Sequence, residues 1–182
     1  YGRTLFGGPI GDGILIFFEG EDARSYYRFE LYELEARVFK INDANPVLVR
    51  EYFENMWNAA KPPVPTAEMS ERIKSRGRTI DVYDITGVNC TTHSVEGIKY
   101  AGSKIFETQY TVPATHSPFG MSSPHQLSEE MVVDFTIPYS LHKFLIEKNS
   151  DFSSMAVIDM TDYFRQQYYN IGDKSVRVSG SS

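Results

Sequence analysis

The chain holds one cysteine, Cys90, in the stretch DVYDITGVNCTTHSVEGIKYAG (residues 81–102), where a strand-like run gives way to a helix-like one. Asn89, just before it, is a good N-cap residue, and Gly102 stands where helices commonly end on a left-handed residue. That spacing predicts a helix over 90–101 with the thiol at its first position. At such a position unpaired backbone N–H groups and the positive end of the helix dipole favour an anion, which is how a cysteine becomes a nucleophile near neutral pH. The reaction on offer is attack on a carbonyl to form an acyl-enzyme. Backbone N–H groups at the helix start would hold the oxyanion, with Asn89 and Thr91 as substrate-binding neighbours. The plainer use of a lone cysteine is as a small buried hydrophobe. Cys90, Ser94, Gly97 and Ala101 also form a narrow stripe of small residues, which would let the helix approach a sheet closely.

A thiolate nucleophile needs a base, normally a histidine, oriented by a third polar group. The chain has four histidines. His93 is one helical turn from Cys90, although a same-helix pair seldom aims both side chains at one substrate atom. His116 and His125 lie in VPATHSPFGMSSPHQL, whose Pro, Ser, Thr and Gly content predicts a loop, and loops over a rigid scaffold often carry function. His142 falls on an amphipathic segment, IPYSLHKFLIEKN, whose Leu141, Phe144 and Leu145 would face the core, and reads as a surface residue. Spacing alone does not choose among them.

The elements that must position these groups follow from periodicity. GILIFFEG (13–20), SYYRFELYE and LEARVFKI are rich in aromatic and β-branched residues at strand lengths and predict three consecutive strands, with turns at Gly20-Glu21-Asp22 and near Glu33. On the second of these, Tyr27, Arg28 and Glu30 would alternate faces, and Tyr27 is a candidate to project beside Cys90 as a substrate-binding group or oxyanion donor. Asn45 and Pro46 open a helix with Leu48, Tyr52, Met56 and Ala60 on one face, stopped by Pro62 and Pro63. A short helix from Thr66 to about Gly77 precedes the strand RTIDVYDI. Asp81 and Asp84 frame that strand's end and read as solvated turn acids, since no glycine-containing ligand loop accompanies them. SSMAVIDM predicts a further strand of the same sheet, and TDYFRQQYYNIG a short helix capped by Thr161.

Composition excludes several functions. At 182 residues the chain is long enough for one domain, 1–175 with a polar tail at 176–182, and needs no metal or disulfide staple. A single cysteine rules out an internal disulfide and any cysteine-rich zinc site. A net charge of -6 with no basic run argues against a nucleic-acid partner. Ile14–Phe18, the longest early apolar run, is far short of the ~20 residues that cross a bilayer.

The order GDGILIFF, YYRFELYE, VREYFENMW and then a strand leading to VNCTTHSVEGIKYAG resembles the permuted papain-like (NlpC/P60-related) cysteine hydrolases and acyltransferases, over about residues 8–105. In that superfamily an N-C-[TA]-[TS] motif starts the later helix and supplies the nucleophile, matched here by Asn89 to Thr92. Pro138 to Leu145 is similar to a helix that often follows it. The resemblance implies an α+β fold, an antiparallel sheet packed against a central helix that starts at the nucleophile. It implies a thiol-dependent hydrolase or acyltransferase without a cofactor, acting on a peptide, a peptidoglycan stem or a lipid acyl ester. Many such domains are C-terminal toxin modules of secreted Rhs-like or polymorphic bacterial proteins, countered by an immunity protein, and a chain starting at Tyr1 without Met suits that setting. One position departs. Where the family motif G-H-[ATV]-F-I has its histidine, this chain has Asp12, and a carboxylate is too weak a base to replace an imidazole. Either a histidine from elsewhere completes the site with Asp12 orienting it, or catalysis has been lost and the cleft kept for binding, or a histidine was replaced to silence a toxic activity.

Overall fold

The computed structural model describes residues 2–3, 10–67, 69–111, 128–132, 135 and 138–170. The chain is a mixed α+β protein. Its elements run β1 (Gly2–Arg3), β2 (Ile10–Leu15), α1 (Gly20–Tyr32), β3 (Phe39–Ile41), α2 (Pro46–Ala59), α3 (Glu71–Arg76), β4 (Arg78–Asp84) and α4 (Cys90–Tyr100). They continue with β5 (Glu107–Thr111), β6 (Ser128–Val132), α5 (Pro138–Asn149), β7 (Val157–Asp159) and α6 (Thr161–Gln167). The strands form three antiparallel ladders among the described residues: β1-β2-β4, β3-β7 and β5-β6.

The helix α4 sits at the centre of the core. Its Val95 is buried with Ile105, Phe106 and Val157, and Ile98, Phe39, Leu141 and Phe144 pack around that group. The Phe106 ring stacks on Phe144 at 5.5 Å, which ties α5 to the chain just beyond α4. The expected inward face of α5 is therefore present, but His142 is half-buried, edge-on to Phe39 at 6.1 Å, and is not the surface residue the pattern predicts. Across α4 from that cluster lies α2, capped as expected by Asn45, whose side chain accepts from the Val47 N–H, with Pro46 in the first turn. The close approach that Gly97 allows is to this helix: a Cβ at Gly97 would stand 3.0 Å from the Phe53 ring. The small-residue stripe thus serves helix-to-helix packing where a sheet contact was expected.

Four expectations fail. SYYRFELYE is helix, not strand. As a helix it buries Leu31 and Ser25, and Glu21 bridges both Arg24 (2.8 Å) and Arg28 (2.9 Å) along one face. Aromatic β-propensity is weak against such packing. Of the third expected strand only Phe39–Ile41 is extended, and it pairs with β7, so that strand forms a ladder of its own apart from β2-β4. The short helix before β4 starts later than expected, capped by Ser70. Thr161 opens α6 without capping it; its hydroxyl accepts from the Val38 N–H at 2.9 Å. No helix among the described residues is long and apolar enough to cross a membrane. The tail 176–182 lies outside the described residues.

Candidate active site

β4 and α4 meet in a tight polar junction. Asp84 ends the strand by accepting from the Thr86 N–H and hydroxyl, both at 2.8 Å, and these bonds hold its carboxyl below the usual carboxylate range. Its oxygen is thereby committed to turning the chain. The backbone then extends at Asn89, whose Oδ1 accepts from Thr91 N–H (2.9 Å) and Thr92 N–H (3.2 Å), while Thr92 Oγ1 accepts from Asn89 N–H (2.9 Å). This reciprocal cap is why the helix starts at Cys90. The Asn89 amide also donates to the Ile85 carbonyl at 3.1 Å.

The cap corrects two expectations about Asn89 and Thr91. They are 2% and 3% exposed, so they build the junction and present no surface to a substrate. It also removes two of the N–H groups expected to hold an oxyanion, because Thr91 and Thr92 donate to Asn89. The Cys90 N–H makes no hydrogen bond among the described residues. The thiol itself is half-buried and free of any disulfide.

His93 follows one turn later, near enough on the helix surface that its Cβ and that of Cys90 are about 5–6 Å apart. Its Nε2 lies 2.6 Å from Asp81 Oδ2, with both side chains largely shielded, 13% and 24% exposed. When the ring is neutral, Nε2–H donates to the carboxylate and Nδ1 carries the lone pair. Asp81 is therefore a partner of His93, and the expectation of a merely solvated turn acid is corrected. Strand geometry brings it there. Side chains alternate along β4, and Asp81 points to the α4 side while Val82 points away.

That same alternation disposes of Asp12. It pairs directly across from Val82, is exposed, and so shares the sheet face opposite His93. It cannot orient this histidine. Tyr27 is also elsewhere: on α1, its ring packs on Phe164 at 6.0 Å and Tyr168 at 5.2 Å, joining α1 to α6. Burial first, then Glu30, then Cys90 push the pKa of the neighbouring Tyr26 phenol well up, so it stays protonated. His116 and His125 lie outside the described residues.

Cys90, His93 and Asp81 thus bring to one junction a thiol and, one helical turn on, an imidazole bonded to a carboxylate. No group of three or more His, Cys, Asp or Glu side chains among the described residues could hold a metal ion. Cys90 lines neither of the two principal cavities, one of about 580 Å³ beneath α2 and one of about 760 Å³ beside α5 and α6. Compared with models of protein families, with curated proteins and with solved structures, the chain has no significant match.

Proposed function

We propose that the chain is a thiol-dependent hydrolase or acyltransferase in which Cys90 is the nucleophile, His93 the base and Asp81 the residue that orients it. The observation that carries this reading is the 2.6 Å His93–Asp81 hydrogen bond one helical turn from a capped Cys90. In the first half-reaction Nδ1 of His93 takes the thiol proton as Sγ bonds the carbonyl carbon, and the carboxylate of Asp81 stabilises the imidazolium that forms. The Cys90 N–H supplies an oxyanion donor where the cap withholds those of Thr91 and Thr92. Collapse breaks the bond to the leaving alcohol or amine, which receives the proton from His93. Water or an acceptor then attacks the thioester with the same imidazole as base, releasing the acyl group. The bond cleaved is an amide in a peptide or peptidoglycan stem, or an acyl ester in a lipid. A toxin module delivered by a larger secreted bacterial protein is the setting that the motif resemblance supports.

A second reading, a binding module on the same scaffold that has lost catalysis, is favoured by one observation: Asp12, at the family's histidine position, faces away from α4. The two are separated by mass spectrometry of the protein after exposure to an activated acyl ester. Acylation of Cys90 that is absent in Cys90→Ala and slowed in His93→Ala supports the enzyme. An unmodified thiol that also resists iodoacetamide in the folded chain leaves only the binding module.

A further inference from the structure

The cavity of about 580 Å³ beneath α2 belongs to a different part of the molecule from Cys90. Leu15, Phe17, Phe18, Ile41, Val49 and Ile98 are prominent in its lining. Its size falls within the ~300–1,000 Å³ range of small-molecule pockets, and its walls are apolar as theirs are. A second observation points to an occupant. The helix α2 carries Val49, Phe53 and Met56 on one face, yet none of its residues is fully buried. An apolar helical face of this kind is normally covered by the core, and here part of it borders open volume.

The polar groups at this cavity define what can enter. Glu19 and Arg50 are both exposed, and Arg50 is ion-paired with Glu54 on the next turn. The Arg50 charge is thus committed to Glu54 outside the lining, and the Glu19 carboxylate that remains at the cavity opposes an anionic head group. We propose that the cavity is a non-covalent binding site for a single alkyl chain ending in an uncharged polar group, an alcohol or an ester. The site does not depend on the thiol chemistry, and its ligand is not required to be the substrate.

The test is a calorimetric titration of the whole chain, and of Cys90→Ala, with hexanol, octanol, decanol and decanoate. Trp57, the only tryptophan, packs edge-on to the cavity residue Phe17 at 6.1 Å and reports filling of the cavity by its fluorescence. The dissociation constant should tighten about fourfold per added methylene until the cavity is full, and decanoate should bind about fivefold more weakly than decanol. Ala44→Phe and Val49→Phe, which fill the cavity from two different segments, should each abolish binding while leaving the far-ultraviolet circular dichroism unchanged. If one of them unfolds the chain, the other and the chain-length series on the natural sequence still decide. A dissociation constant that does not change with chain length, equal binding of decanoate, or binding unaltered in a folded filling variant overturns the proposal. Chain-length-dependent binding by a protein that never acylates would remove the thiol reading alone. Acylation of Cys90 without such binding would remove the cavity alone.

Discussion

The two ends of α4 differ in kind although they belong to one element of 11 residues. Its first turn is polar, with the Asn89 cap, the Cys90 thiol and His93 tied to Asp81. Its last two turns are packed: Val95 is 2% exposed, Ala101 3%, and Gly97 lies under the Phe53 ring. The lesson is a division of labour. Groups at the start are held by hydrogen bonds local to the junction and can be altered without opening the core, whereas changes at the far end act on the whole fold.

Substitutions sharpen that contrast or break it. The largest effect is expected for His93→Ala, which should lower kcat/KM for an acyl ester by ~10²–10⁴-fold while the urea midpoint of unfolding moves little; Asp81→Asn should follow in the same direction. An unfolded His93→Ala would show that this end, too, supports the core. Gly97→Val should do the reverse, losing about 1–3 kcal/mol of stability by overpacking against Phe53 and Tyr52, with the rate of Cys90 alkylation in the folded fraction unchanged. Asn89→Ala falls between the two. It removes the acceptor for Thr91 and Thr92 and should cost about 1–2 kcal/mol, and it should change the alkylation rate as well, since the first turn frays around the thiol.

The smallest effect concerns pH and Tyr26. Burial, Glu30 and Cys90 raise the folded pKa of its phenol above the unfolded value of about 10. The stability linked to the neutral phenol is complete below that unfolded value and is lost as pH rises toward the folded one. The thermal midpoint should therefore fall above pH ~10, and Tyr26→Phe should make that fall shallower. An identical slope in both proteins would place Tyr26 away from the negative charge of Glu30 and Cys90.

Much of the junction was legible in the sequence, because capping is a short-range matter. Asn45 and Asn89 cap the helices they were expected to cap, and Gly102 takes a φ of 82° just past α4. The segment after β2 was not legible. Its tyrosines and phenylalanines favour a strand when judged singly, and the helix forms because Leu31 and Ser25 bury, Tyr27 meets α6, and Asp22 pairs with Arg72 and Arg76 of α3 at 2.8 and 3.1 Å. That error misplaced Tyr27, which as part of a helix packs on Phe164 and Tyr168.

By itself, then, the amino-acid sequence determined that a helix begins at Cys90 and where it stops, since each terminus needs only hydrogen-bonding groups within a few residues of it. Only the tertiary structure decided which acid serves His93. Asp12 and Asp81 sit on neighbouring paired strands, and the register that sets Asp12 across from Val82 and Gly13 across from Asp81 sends their carboxylates to opposite faces. A one-residue shift in that pairing would put both carboxylates on one face, and no residues local to either acid specify the register.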